Sequence, residues 1–387
     1  MTCTIIGAGR TGRGFIGRLL YESGVSFHYV ESQASLVERL RQKNSYTVEF
    51  FGNTRKPVNI EGFSVQHVSD KNTIESIAYS DLVFVSVGAD NLVNVGSLLA
   101  KVLSYRGSIN LFPYPLYIIT AENAIHPAEK LRIHIQKSYK GSTHYLITET
   151  AIFCTTIEKS KGSMDIISED LNQIPFAAFN LSFPFELPSF LRLEKDFELL
   201  LTRKLYTYNC TSAAIAYLGH ASGYLEYAEA ASDPSIEILL MALYESVNHA
   251  LGLDYGIDPV DKNEFACASL KKFQNKDIYD SIERNARNAS RKLGPDERLL
   301  GPLRLLVKHN IAFDVLSMVI ATACRYGIEH EQSMHDLLEH QGLEGILKNI
   351  CFIDVDSSEA RRIIDFYHDL NDSKHMRDTI FAWSTKI

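Results

Sequence analysis

TCTIIGAGRTGRGFIGRLLYESGVSFHYVE, residues Thr2–Glu31, sets an apolar strand, a glycine-rich turn, a helix and a second strand end to end. Thr2–Ile6 reads as the first strand. Gly12–Tyr21 reads as a helix with Phe15, Ile16, Leu19 and Leu20 along one side, and Ser26–Val30 as a strand ending in Glu31. The turn Gly7-Ala8-Gly9-Arg10-Thr11-Gly12 has GxGxxG spacing. In that spacing Gly7 permits a tight turn, Gly9 lets the backbone approach a pyrophosphate, and Gly12 lets the helix pack close to the strand. The free N–H groups and positive dipole end of the helix receive phosphates, with Arg10 and Thr11 beside them. Glu31 is placed to accept hydrogen bonds from ribose hydroxyls. A carboxylate there repels a 2′-phosphate, so NAD is favoured over NADP. The expected fold class is α/β, with an N-terminal Rossmann-type doubly wound sheet.

The flanking sequence extends this pattern. Ala34–Gln42 reads as a helix, and Ser45–Val68 alternates apolar and polar residues around Gly52-Asn53, which suggests an inserted hairpin. Asp81–Val87 is a continuous apolar run, as expected of a central parallel strand buried on both faces. It ends at Val87-Gly88, where small residues would let the cofactor lie across the strand tips. After a helix over Asn91–Leu103, Ser108–Leu111 and Leu116–Thr120 read as strand pieces. The second ends in Ala121-Glu122-Asn123, polar residues on the edge where open α/β sheets bind ligands. Tyr145–Phe153 and Gly162–Ile167 read as strands. Ile174–Leu191, with Pro175, Pro184 and Pro188, reads as an irregular crossover. Nearly everything after it has helical periodicity. The expected organisation is a dinucleotide-binding domain over residues 1–190 and a mostly α-helical substrate domain over 191–387.

The 387 residues suit two domains, and 45% hydrophobic with 22% charged residues is ordinary for a globular chain. A net charge of −8 argues against a nucleic-acid or anionic-membrane partner. No run is long and apolar enough to span a bilayer, and the N-terminus lacks the basic region of a signal peptide. Six scattered cysteines, none in CxxC spacing, suggest free thiols in a reducing compartment, hence a cytoplasmic protein.

One helical stretch stands apart: RKLYTYNCTSAAIAYLGH, Arg203–His220. It sets Lys204, Asn209 and Ser212 among apolar residues. At about 100° per residue, Asn209 lies about 140° around an α-helix from Lys204, with Ser212 between them. Glu226 and Glu229, about one turn apart, read as a solvated helix face.

Gly7-Ala8-Gly9-x-x-Gly12-Arg13-Gly14-Phe15-Ile16-Gly17 resembles the opening signature of the polyol-specific long-chain dehydrogenase/reductases, the mannitol dehydrogenase family. Asn44-Ser45-Tyr46, Val87-Gly88, Glu122-Asn123, Arg203-Lys204-Leu205-x-Thr207-x-Asn209 and Arg291-Lys292-Leu293-x-x-Asp296-x-Arg298-Leu299-x-x-Pro302 are similar to family segments in the same order. The resemblance covers essentially the whole chain. It implies an NAD-dependent, metal-independent oxidoreductase for a sugar alcohol or its phosphate, of the mannitol 1-phosphate/fructose 6-phosphate type. Lys204 would be the general acid/base, and Asn209 and Asn123 would donate to the developing alkoxide, with Asn123 also at the cofactor edge. Arg287, Arg291 and Lys292 are candidates for holding a substrate phosphate, since guanidinium forks match its oxygens.

Two positions depart from the family pattern. Ser212 stands where the family has a histidine, and Phe153-Cys154 where it has an Asp-Arg pair. His220 is no substitute, being about 12 Å along the helix from Ser212. These departures admit a sugar-acid (fructuronate/tagaturonate-type) reductase, or a catalytically weakened NAD-binding sensor, as alternatives. The expected partner is a small-molecule sugar alcohol, sugar phosphate or sugar acid, and the expected state a monomer.

Overall fold

The computed structural model describes residues 1–109, 114–124, 126–178, 183–257, 259–370 and 376–386, with only the backbone course of 259–265. The chain divides into two compact units, Met1–Phe197 and Glu198–Ile387.

In the first unit, β1 (Thr2–Ile6) leads through a helical stretch to β2 (Ser26–Glu31). β3 (Ser45–Phe50) and β4 (Val58–Glu61) form an antiparallel hairpin over the first part of the stretch expected as one, whereas its last part, 64–67, joins the main sheet in parallel with β2. β5 (Ser64–His67), β6 (Leu82–Val85), β7 (Leu116–Thr120) and β8 (Tyr145–Glu149) complete a six-stranded sheet ordered β5-β2-β1-β6-β7-β8. All its pairings are parallel. This is the doubly wound dinucleotide-binding order, whose switch point lies between β1 and β6. Ile5, Phe84 and Ile119 point to one face and Ile6, Val85 and Ile118 to the other, so apolar residues are buried on both. β9 (Thr156–Glu158) and β10 (Ile166–Ser168) join the hairpin in a second sheet ordered β4-β3-β10-β9.

The strands expected over Tyr145–Phe153 and Gly162–Ile167 are shorter, Tyr145–Glu149 and Ile166–Ser168, and two further expectations differ from the structure. The helix expected over Asn91–Leu103 runs over Leu92–Ile109, so Ser108 and Ile109 are helical, while 110 and 111 lie outside the described residues. The buried Arg106 anchors its last turns, donating to the carbonyls of Ala78 at 2.6 Å and Tyr114 at 3.2 Å. The crossover is also more ordered than its prolines suggested. β11 (Ile174–Ala177) pairs in parallel with β12 (Leu191–Glu194), and Pro175 sits in a two-stranded sheet where its missing N–H is tolerated.

The second unit is helical, and its longer members include Pro234–Tyr255, Asp314–His330, Gln332–Asn349 and Ser358–Asp369. At its centre one continuous helical stretch runs through Phe197–Arg203, a π-helical segment Lys204–Asn209 and Cys210–Ala221. Ala213 through Leu218 are buried all round, because helices 282–286, 227–231, 234–255 and 314–330 pack on it. Tyr227–Ala231 supplies the helix face on which Glu229 was expected, while the short helices Ile282–Ala286 and Ala289–Lys292 carry too little periodicity to read. Among the described residues no helix is long and apolar enough to cross a membrane.

Candidate active site

The parallel register levels the strand ends of the first unit. Ile6 pairs with Val30 and Val85, and Val85 with Thr120, so the loops after β1, β2, β6 and β7 share one edge. Gly7 has φ +101°, and a Cβ there would lie 2.1 Å from the Ser86 carbonyl oxygen. A Cβ on Gly12 would lie 2.1 Å from the Gly7 oxygen, whereas one on Gly9 meets nothing within 4 Å. A tight turn, an open approach and a close helix contact therefore follow one another at the three expected glycines. Arg10 is exposed and Thr11 half-buried at the helix start. The Glu31 carboxylate accepts from the Ala8 N–H at 2.8 Å and from the N–H groups of Ser32 and Gln33 at 2.7 and 2.9 Å. That places an acceptor-only group beside the glycine loop, where a ribose would sit. These residues fit a dinucleotide.

Along the same edge, the buried Glu122 holds the β6 loop. Its Oε1 accepts from the Val87 N–H at 2.6 Å and its Oε2 from the Gly88 N–H at 3.0 Å. Burial pushes this carboxyl up to about 7, while the two N–H groups favour the charged form. Gly88 has φ +85°, and Asn123 is exposed immediately after Glu122. The sequence pattern placed Glu122 in a family pair without a role. Its bonds to residues about 35 positions earlier supply one.

In the second unit, Lys204 is 6% exposed. Burial lowers its amine from 10.5 to about 7, and the charges of Lys272 and Arg298 act in the same direction. The angular relation to Asn209 differs from the α-helical expectation. Cys210 N–H reaches back five residues to the Leu205 oxygen. In an α-helix residues i and i+4 lie on one face, and in a π turn i and i+5 take that place. Lys204 and Asn209 therefore share a face instead of standing about 140° apart. Ser212, one turn on, accepts at its Oγ a 3.0 Å hydrogen bond from the hydroxyl of the buried Tyr227.

The basic residues separate into different environments. Lys292 is buried, donates to the Asn285 carbonyl and lies 5.5 Å from the Tyr217 ring centre. Burial, then the charges of Arg298 and Arg291, lower its amine to about 7. Arg291 is ion-paired to Glu297 at 2.8 Å, and the same carboxylate receives Arg298 at 3.2 Å. Arg287 is exposed at the C-terminus of the preceding helix, Ile282–Ala286. Arg298, within the Arg291–Pro302 motif, acts by its charge on both lysines. Tyr227 and Lys272 gave no local signal. At the second departure, Cys154 is buried with its Sγ 3.3 Å from Ser168 Oγ, so this position packs the small sheet.

Comparison with known proteins agrees with this geometry. Residues 1–158 match the mannitol dehydrogenase Rossmann domain and residues 196–383 the mannitol dehydrogenase C-terminal domain. Mannitol-1-phosphate 5-dehydrogenase of Buchnera aphidicola subsp. Schizaphis graminum is 30% identical over 94% of this chain and 97% of its own. That of Thermoanaerobacter pseudethanolicus is 27% identical over 96% and 98%. The structure of Pseudomonas fluorescens mannitol 2-dehydrogenase, a ternary complex with NAD and D-mannitol, covers 100% of this chain and 95% of that one with a TM-score of 0.78 at 15% identity. The chain belongs to the mannitol dehydrogenase family of oxidoreductases.

Proposed function

We propose that this chain is an NAD-dependent dehydrogenase that interconverts a secondary alcohol and a ketone on a sugar alcohol or its phosphate, of the mannitol 1-phosphate/fructose 6-phosphate type. The observation that carries the proposal is the buried Lys204 amine, brought to about 7 and sharing a helix face with Asn209. A group with that pKa exchanges protons at neutral pH in either direction. Bound nicotinamide supplies the hydride acceptor or donor. Lys204, neutral, takes the hydroxyl proton during oxidation and, protonated, returns it during reduction, so no metal is required. Asn209 and Asn123 donate to the oxygen as negative charge develops on it. Gly7, Gly9, Gly12, Arg10 and Thr11 receive the pyrophosphate, and Glu31 the ribose hydroxyls, with selection against a 2′-phosphate. Val87 and Gly88, held by Glu122, carry the cofactor edge. Ser212 adjoins the reacting carbons, and Arg287, Arg291 and Lys292 hold the substrate's anionic group.

NADH oxidation with fructose 6-phosphate, fructose and keto-sugar acids tests this directly. Turnover with the first, abolished in Lys204→Ala while NADH binding persists, is the expected result. Tight NADH binding with no turnover on any of the three overturns the dehydrogenase assignment. Preference for a keto-sugar acid would reassign the substrate within the same chemistry.

A further inference from the structure

His220, Glu329 and His330 bring two imidazoles and a carboxylate together at the C-terminal end of helix Cys210–Ala221. Their ligand-type atoms all lie within 4.8 Å of one another. Each donor is held from behind. His330 Nδ1 lies 2.9 Å from the Tyr326 carbonyl oxygen, a partner that requires N–H at Nδ1 and leaves the lone pair on Nε2. The His330 ring is stacked on Tyr326 with centroids 4.1 Å apart, and His220 meets the same ring edge-on at 4.8 Å. Arg325 Nε donates to Glu329 Oε1 at 3.2 Å and Arg325 Nη1 to the Leu370 carbonyl at 2.8 Å. The other Glu329 oxygen is thereby turned toward His220 Nε2, 3.4 Å away.

We propose that His220, Glu329 and His330 form a binding site for a divalent transition-metal ion of the zinc class, with water completing its shell. Donors at about 2.0–2.2 Å in tetrahedral array stand about 3.4 Å apart, the separation already present between His220 and Glu329. Two imidazoles with one carboxylate suit zinc, copper or nickel better than magnesium or calcium, which take all-oxygen shells. A carbonyl that fixes the tautomer of a ligating histidine is the usual outer shell of such sites. His220 is half-buried and Glu329 and His330 are exposed, which leaves room for water. Another trio, His335, Asp336 and Glu339, is exposed throughout and drawn from a single helix, so it serves as the comparison site. A metal at His220 would tie helix Cys210–Ala221, continuous with the π segment of Lys204, to helix Asp314–His330. Its role is bracing, separate from the proton chemistry at Lys204.

The test uses tag-free, chelator-stripped full-length chain titrated with Zn²⁺ and with Co²⁺. One equivalent bound at micromolar Zn²⁺, a rise in Tm and visible d–d bands with Co²⁺ are expected. His220→Gln and His330→Gln should each weaken binding by more than about tenfold, and His335→Gln should leave it unchanged. Circular dichroism of the metal-free variants checks their folding, and the Co²⁺ spectrum of the unaltered chain is informative even where a variant misfolds. Absence of stoichiometric binding to the unaltered chain overturns the proposal. So does binding that survives in His330→Gln and is lost in His335→Gln.

Discussion

Lys204 and Asn209 face the same side of one π turn, because Cys210 N–H reaches back five residues to Leu205 instead of four. In the roles proposed for them, a base and an oxyanion donor on one face can meet one oxygen atom. With the Lys204 amine lowered to about 7, the acid/base role proposed for it requires the neutral form in alcohol oxidation and the charged form in ketone reduction. The oxidation rate should rise with pH to a plateau above about 7, and the reduction rate should fall over the same range. Lys272→Gln removes a like charge that depresses this amine, so both profiles should move to higher pH, as pH–rate curves will show. Profiles that do not move would refute the coupling.

The glycine loop, Glu31 and the strand edge were legible because each is local: a motif, an acid at a fixed distance and an apolar run. Lys204 and Asn209 were legible as residues but not as a pair, since nothing in YTYNC announces a π turn. Glu122, Tyr227 and Arg298 act through partners distant in sequence. Glu122 meets Val87 about 35 residues back, and Tyr227 meets Ser212 from a one-turn helix with no readable period. Charges along the Arg287–Lys292 segment looked equivalent, yet folding buried Lys292, ion-paired Arg291 and left Arg287 exposed.

Glu122 stores a pH dependence of opposite sign to that of a paired carboxylate. Its folded pKa of about 7 stands above the ordinary 4.5, so between these values the folded chain holds a proton that the unfolded chain has lost. Stability contributed at this position falls as pH rises from 4.5 to 7. Glu122→Gln should flatten that dependence relative to the unaltered chain in urea midpoints across the window. Because an amide presents an N–H where a second acceptor oxygen is needed, the Val87–Gly88 loop should loosen and NADH affinity should fall. A variant with the original slope and affinity would contradict both statements.

Tyr227 makes Ser212 a test of function that folding does not obscure. Its hydroxyl lies 3.0 Å from Ser212 Oγ and 3.1 Å from the Ser212 carbonyl. Ser212→Ala leaves the buried hydroxyl a carbonyl partner, so the stability cost should stay below about 1 kcal/mol. A large loss of kcat in that variant would then report contact with the substrate. Ser212→His must place an imidazole where Tyr227 already stands, and overpacking should cost about 1–3 kcal/mol. Urea denaturation and steady-state kinetics on the two variants separate these effects.

Lys292 is buried among two guanidinium groups, Arg298 and Arg291, and two carboxylates, Glu297 and Glu331. Burial, then the charges of Arg298 and Arg291, lower its amine to about 7 against Glu297 and Glu331, and Glu297 is already shared between the two guanidinium groups. An incoming phosphate would offset the repulsion and raise the Lys292 pKa, so binding should draw a proton from solution near pH 7.5. Calorimetry of fructose 6-phosphate binding to the NADH complex, repeated in buffers of different ionisation enthalpy, measures that uptake. Lys292→Met should abolish it, and Arg291→Ala should weaken phosphorylated substrates while leaving fructose unaffected. Binding with no proton uptake, or equal loss for fructose, would place the phosphate elsewhere in the molecule.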